Sequence, residues 1–369
     1  MPKEDGRYRV AILGNCCMHG EFVAAALKAE DRASLVGGFE TDPRRAPALS
    51  AAIQSDLVSS GEALLDDPDI DIVALACSPH EKADWAERAI AAGKHVFLNK
   101  PFAESLESAR RIERAVAGGN VQLVHDIGIH RAHPVSARFL DAVRSGAFGE
   151  VIDYHNAWGM TLSADFALGQ HWPERLDPAA SSGGGELTNL GCYAIDYMVA
   201  LFGRPQAVQA RTRGYWSVYA AANLENHGQI IADYGDFYAV LAAGKQPMPA
   251  RSGEGVAEAL DAANWHNVID VQFEGHNVVL MPYAGVINYD GMALSEADWL
   301  AGYEHRTAFR DLTDAIETGV APDSDATVAA LGVEVLMAAY RSALEEGSRV
   351  ALPLEDEANP LIGETGNCA

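Results

Sequence analysis

Short apolar runs alternate with amphipathic stretches through the first third of the chain. Tyr8–Leu13 (YRVAIL) breaks at Gly14, Ser34–Phe39 (SLVGGF) follows, Ile72–Cys77 (IVALAC) is apolar throughout, and His95–Leu98 and Val121–Val124 complete the set. Runs of this length without alternation predict strands covered on both faces, as in a parallel sheet. Asp84–Ala92 and Ser105–Ala117 have helical spacing, and each stops at glycine, at Gly93 and at Gly118-Gly119, the residue suited to a helix C-terminus. Strand–helix alternation at this spacing predicts right-handed βαβ units in a doubly wound parallel sheet, an α/β fold.

From Val151 the pattern changes. The strands become longer and alternating and carry Trp and Tyr (VIDYHNAWGM), and Val268–Phe273 and Asn277–Met281 read as antiparallel neighbours joined at Glu274-Gly275. The second half therefore reads as α+β on an open, mainly antiparallel sheet. Helical stretches Arg306–Thr318 and Ala326–Glu346 are expected to close it. The expected divisions are 1–127, 128–352 and a polar, mobile tail over 353–369.

Composition narrows the class. With 369 residues, two domains are expected. The net charge is −25, and only six residues are lysine. Such a surface repels phosphate backbones and anionic lipid, which argues against nucleic-acid or membrane partners. No apolar run approaches the ~18–20 residues of a membrane span, and the polar MPKEDGRYRV start has no signal-peptide core. Five cysteines are too few and too scattered for a disulfide framework, so a cytoplasmic setting is expected.

The first strand runs into Gly14-Asn15-Cys16-Cys17-Met18-His19-Gly20. A strand, a glycine turn and a helix start form the setting in which a helix N-terminus holds a pyrophosphate. The spacing is imperfect: Cys16 replaces the second glycine, and the third is displaced to Gly20. Glu40, at the end of the second strand, could accept both adenosine ribose hydroxyls and would repel a 2′-phosphate. That favours NAD, while Arg44 and Arg45 keep NADP possible.

Several segments in order resemble the Gfo/Idh/MocA oxidoreductases. Gly93-Lys94-His95-Val96-Phe97-Leu98-Asn99-Lys100-Pro101 resembles the family's GKHV…EKP signature, and Ser78-Pro79 its Thr-Pro. Arg131-Ala132-His133-Pro134 resembles R-x-H-P, and Ser145–Val151 the S-G-x-x-G-x-V turn. Gly183–Asp196 resembles G-G-G-x-L-x-D-x-G-x-H-x-x-D. The order and spacing agree along roughly residues 8–350. The resemblance implies a Rossmann domain followed by an α+β domain that carries substrate contacts and, through the open sheet face, a homodimer or homotetramer interface. It also implies NAD(P)-dependent oxidation of sugars, polyols or their derivatives. The chain departs from the pattern where Asn99 stands for Glu, Asn189 for Asp, and Tyr193 for the usual His.

On this resemblance the cofactor residues are Gly14, Asn15, Cys16, Cys17, Met18, His19, Glu40, Ser78, Pro79, His80, Asn99 and Lys100. The catalytic candidates are Lys100, Tyr193 and Asn189. Hydride removal from a carbinol carbon needs a base for the hydroxyl proton. A free phenol, with a pKa of ~10, is too weak a base at neutral pH until a neighbouring ammonium favours phenolate; Lys100 is the expected partner of Tyr193. Asn189 cannot titrate but can orient hydroxyls. His133, Trp172, Arg175, Asn189 and Tyr193 are the expected substrate contacts. Leu187, Leu190, Ala194, Met198 and Leu201 form one helical stripe, and Asn189, Tyr193 and Asp196 another, with Glu186 one turn earlier. His125, Asp126, His130 and His133 suggest a metal site, but nothing completes a zinc-like spacing, so none is expected. Two other outcomes stay open: a redox-neutral, NAD-assisted glycosidase or lyase, and a non-catalytic sugar- or nucleotide-binding protein.

Overall fold

A computed structural model describes residues 6–127, 133–163, 173–178, 181–248 and 265–362. The chain divides into two compact units, Met1–Gly128 with Arg306–Val333, and Ile129–His305 with Glu334–Ala369.

The first unit alternates β1 (Tyr8–Leu13), α1 (His19–Lys28), β2 (Ala33–Phe39), α2 (Ala46–Ile53), α3 (Gly61–Asp66), β3 (Ile72–Leu75), α4 (Lys82–Ala91), β4 (His95–Asn99), α5 (Leu106–Gly118) and β5 (Leu123–Asp126). The five strands are parallel in the order β2-β1-β3-β4-β5. β3 is buried at every position and β1 at all but Arg9, as expected for strands covered on both faces. The chain leaves β1 toward β2 on one side and later returns to β3 on the other. Such an order reversal leaves a crevice beyond the carboxyl ends of the two strands.

The second unit contains α6 (Pro134–Arg144), β6 (Val151–Ser163), α7 (Cys192–Phe202), β7 (Ala207–Arg213), α8 (Ser217–Ala221), β8 (His227–Asp233), β9 (Tyr238–Met248), β10 (Trp265–Phe273), β11 (Asn277–Met281), β12 (Val286–Tyr289), β13 (Met292–Ala293) and α9 (Glu296–Trp299). Two helices follow, α10 (Ala308–Thr318) and α11 (Ala326–Leu344), and then β14 (Val350–Ala351). The nine strands run in the order β13-β12-β11-β10-β6-β9-β8-β7-β14. Every pairing is antiparallel except β6 with β9. Alternation separates the faces: Ala210, Ile230, Leu241, Ile269 and Val271 are buried, while Gln209, Arg211, Gln229 and Ile231 are exposed.

Three expectations about the C-terminal third change. The Arg306–Thr318 helix, observed as α10, belongs to the first unit, packing on β4 and β5. Its apolar residues Phe309 and Leu312 join the core built around Tyr8, Phe97 and Val124, and the Phe309 ring meets Phe97 edge-on. α11 is, by length and composition alone, long and apolar enough to cross a membrane, despite Glu334 and Arg341. Its most apolar window is 61% buried inside the protein, which fits a core helix. Residues 353–362 are held rather than loose. Leu354 N–H donates to Glu334 at 3.0 Å, Arg341 pairs with Asp356 at 2.7 Å, and Asn359 donates to Ser182 O at 2.9 Å.

Candidate active site

The turn after β1 lies in the first unit's crevice. Gly14 has φ +90°, and a Cβ there would fall 2.5 Å from Cys77 Cα; only glycine lets β1 end this close to the strand beside it. Gly20 is equally constrained, since a Cβ would lie 2.5 Å from Gly14 O. Cys17 and Met18 adopt left-handed backbone, at φ 51° and 66°. Such residues cost ~1–3 kcal/mol each and are tolerated where surrounding structure demands them. α1 starts directly after them, and Asn15 Oδ1 caps it by accepting from Glu21 N–H at 3.2 Å.

Glu40 reaches back to this turn. Its carboxylate accepts Asn15 N–H at 2.6 Å and Asp42 N–H at 2.8 Å, and it pairs with Arg45 at 3.1 Å. Its side chain is 2% exposed, so it is a buried strut of the turn as well as a wall of the cleft beside it. That narrow cleft is lined by Leu13, Gly14, Glu40, Arg45, Cys77 and Trp85 among others. Ser78 opens a capping box with Glu81 over the short Pro79–Glu81 turn, and His80 on it is exposed. Cys16 and Cys17 are buried, in no disulfide, with sulfurs 3.7 Å apart. Burial pushes the Cys77 thiol well up.

Asn99 ends β4 and Lys100 follows it. Both are buried, and Asn99 Nδ2 donates to Asp126 Oδ2 at 3.0 Å. The Lys100-Pro101 peptide is cis. Buried Lys82 donates to the flanking carbonyls Asn99 O and Pro101 O, the latter at 2.5 Å.

The glycine run of the second unit has a steric cause. A Cβ on Gly185 would lie 1.9 Å from Glu225 O, and one on Gly184 would lie 2.0 Å from Thr188 Oγ1. The helix start is pressed against its own chain. Leu187–Gly191 is a π-turn leading into α7, and every residue from Cys192 to Ala200 is buried. The expected division into an apolar stripe and a polar face therefore fails. Asn189, Tyr193 and Asp196 are 5%, 5% and 2% exposed, because the helix is enclosed on all sides.

Tyr193 stands in an aromatic group. Trp158 lies 5.5 Å from it by ring centroids, and Trp265 and Tyr283 lie 5.9 and 5.6 Å from Trp158. His133 packs on Tyr283 at 5.2 Å, and its Nδ1 caps α6 by accepting from Val135 N–H; burial pushes its pKa down. One turn before Tyr193, Asn189 Nδ2 donates to Glu186 Oε2 at 2.7 Å. Glu186 also pairs with Lys245 at 3.0 Å and accepts from Tyr219. Burial opposes charge on Glu186, but Lys245 and Arg175 hold its carboxyl below the usual range. Glu225 accepts Gly185 N–H and Leu187 N–H, with Tyr340 donating at 2.8 Å, and burial pushes it up to about 7.

Family models match both halves of the chain. The oxidoreductase family with an NAD-binding Rossmann fold, Gfo/Idh/MocA, matches residues 8–126, and the C-terminal domain model of the same family matches 137–246. The chain belongs to this family. Levoglucosan dehydrogenase from Pseudarthrobacter phenanthrenivorans is 30% identical over 41% of this chain and 38% of its own length. An oxidoreductase from Rhizobium meliloti is 31% identical over 51% of this chain and 54% of its own. The chain thus spans about half or less of the length of the curated relatives it matches. Among solved structures, levoglucosan dehydrogenase with NADH and levoglucosan gives a TM-score of 0.76 at 18% identity, covering 94% of this chain and 100% of that one. GenD2 from gentamicin A biosynthesis with NAD gives 0.72 at 24% identity, covering 96% and 99%. These likenesses show the fold.

Within the Gfo/Idh/MocA frame, the structure places Gly14, Asn15, Cys16, Cys17, Met18 and His19 on one turn, with Glu40 after β2 bonded to it, and Asn189 on the π-turn and Tyr193 on α7. Arg175 lies close enough to Glu186 and Tyr219 for its charge to act on both. Trp172, His130, Arg131 and Ala132 lie outside the described residues. Among the described residues no group of three His, Cys, Asp or Glu side chains could hold a metal. Lys245, Trp265, Tyr283 and Tyr219 were not singled out from the sequence. Lys245 had a usable signal: it is one of six lysines, inside the apolar run YAVLAAGK.

Proposed function

We propose that the protein is an NAD(P)-linked dehydrogenase that oxidises a hydroxyl-bearing carbon of a sugar, cyclitol or glycoside, or reduces the corresponding ketone. The observation that carries this reading is the strand–turn–helix at Gly14–Gly20, which ends β1 where the strand order reverses, beside a cleft walled by Glu40. Gly14, Asn15 and the following turn would hold the pyrophosphate, and Ser78, Pro79, His80 and Asn99 would flank the rest of the dinucleotide. NAD is the favoured form, since Glu40 sits where a 2′-phosphate would have to go and neutralises Arg45. The bound nicotinamide supplies the hydride acceptor.

The chain's own part is proton transfer and orientation. Tyr193 takes the hydroxyl proton, and Lys100 serves as the cation just after β4 that the cofactor-side chemistry requires. Asn189 orients a substrate hydroxyl, while His133 and Arg175 line the substrate. The names of the relatives, levoglucosan dehydrogenase and D-xylose dehydrogenase, support a small carbohydrate substrate. The partly apolar open sheet face, with Ile231 44% and Tyr238 57% exposed, is the proposed interface of a homodimer or homotetramer. The described cysteines, in no disulfide, fit a reducing cytoplasm.

The test is NADH absorbance at 340 nm, about where reduced nicotinamide absorbs, with D-glucose, D-xylose, myo-inositol and levoglucosan as substrates. Net NADH formation with one of them is the expected result. Turnover without NADH change, or protein that binds neither NAD(H) nor NADP(H), would overturn the reading.

A further inference from the structure

We infer that the buried Glu186–Lys245 ion pair is a positioning device that fixes the polarity of the Asn189 amide, so that this residue meets a substrate hydroxyl as a hydrogen-bond acceptor. The inference rests on the proposed role of Asn189 as a substrate contact.

The two ends of an asparagine amide are nearly equal in shape, so only the surrounding hydrogen bonds decide which way it lies. An ionised carboxylate only accepts. With Glu186 Oε2 2.7 Å away, Asn189 must turn Nδ2 toward it and Oδ1 away. The reversed amide would set two acceptor oxygens against each other. The arrangement holds only while Glu186 keeps its charge, and Glu186 is 0% exposed. Burial alone would neutralise it. Lys245, itself 1% exposed on β9, supplies the opposing charge at 3.0 Å. Tyr219 on α8 donates to the same Oε1, and Arg175 adds positive potential from the short turn before the glycine run. Glu225, whose carboxylate accepts Gly185 N–H and Leu187 N–H, and Tyr340 on α11 complete the titratable surroundings.

A packing role alone does not call for this arrangement. A buried ion pair is seldom more stabilising than apolar residues of the same shape. What the pair provides, and an apolar pair could not, is an acceptor of fixed protonation beside Asn189. An aspartate at this position would offer two accepting oxygens whichever way the group lay. An asparagine can do so with only one, and needs a neighbour to choose which.

Lys245→Met removes the cation. Glu186 then protonates as pH falls, its new O–H can donate to Asn189 Oδ1, and the amide can reverse. With asparagine side chains labelled with ¹⁵N and the Asn189 signal assigned by its loss in Asn189→Asp, the wild-type Nδ2 resonance should stay constant from about pH 5 to 9. In Lys245→Met it should titrate within that range. In parallel, KM for whichever of D-glucose, D-xylose, myo-inositol or levoglucosan is turned over should rise at least ~10-fold on the acid side and return toward wild type on the alkaline side, with kcat within ~3-fold. Glu186→Leu/Lys245→Met removes both charges. It should recover the thermal midpoint yet keep a raised, pH-independent KM. A flat Asn189 resonance at the wild-type position in Lys245→Met would overturn the inference, as would wild-type KM in the double variant. If wild type turns over none of the four compounds, the proposed function fails while the amide resonance still decides the positioning.

Discussion

Glu225→Gln tests a carboxylate that the fold buries under the start of the Asn189–Tyr193 segment. In the folded chain Glu225 accepts two backbone N–H groups and the Tyr340 hydroxyl, and burial still pushes it up to about 7 from 4.5. The folded state therefore holds a proton that the unfolded chain releases earlier. The stabilisation linked to that proton is fully present below about pH 4.5 and is lost as pH rises through about 7. At ~1.4 kcal/mol per pH unit, the loss amounts to roughly 3 kcal/mol. Glutamine keeps the shape but turns one acceptor into a donor, which costs ~1–3 kcal/mol at every pH. The diagnostic is thus the slope against pH, not the offset. Scanning calorimetry from about pH 5 to 9 should show the wild-type transition of the second unit falling by roughly 6–12 °C relative to the variant, at ~2–4 °C per kcal/mol for a unit of this size. A wild-type-minus-variant difference constant to within ~0.5 kcal/mol across that range would refute the reasoning.

Tyr193→Phe should lower kcat at least ~100-fold, about 2.7 kcal/mol of barrier, while the NADH dissociation constant stays within ~3-fold; activity within ~2-fold of wild type would remove Tyr193 from proton transfer. Gly14→Ala places a Cβ 2.5 Å from Cys77 Cα at φ +90° and should weaken NADH binding at least ~10-fold by fluorescence titration, an expectation that unchanged affinity would defeat. Glu40→Ser should release Arg45 and shift the ratio of NADP to NAD affinity toward NADP at least ~10-fold. Lys82→Met deletes the buried donor to Asn99 O and Pro101 O and should cost ~3 kcal/mol in urea unfolding, since charged hydrogen bonds are worth ~1.5–3 kcal/mol each.

The first unit was legible because its strands carry their burial in their composition. YRVAIL and IVALAC contain almost nothing that could face water, and their ends at Gly14 and Cys77 meet where the strand order reverses. The glycine turn was harder to read, because Cys17 and Met18 adopt a backbone that residue preference assigns to glycine. The enclosed α7 misled in the opposite direction. Asn189, Tyr193 and Asp196 read as a polar face at and beyond its start, yet Asn189 is buried against Glu186, which is held by partners from β9 and α8, far along the chain. Periodicity sees only neighbours three or four residues apart. It could not see that a lysine in YAVLAAGK answers a glutamate almost sixty residues earlier, nor that Phe309 belongs with Phe97.

That last pairing has a price in time. α10 fills the core beside β4 and β5, with Arg32 tied to Asp314 at 2.7 Å, but the ribosome makes it only after all of Ile129–His305 has emerged. At ~5–20 residues per second, the nascent Rossmann sheet waits on the order of ten to thirty seconds with the Phe97 and Val124 side uncovered. Its maturation is post-translational in all but name, and chaperone demand should fall on this half of the polypeptide, although it is synthesised first.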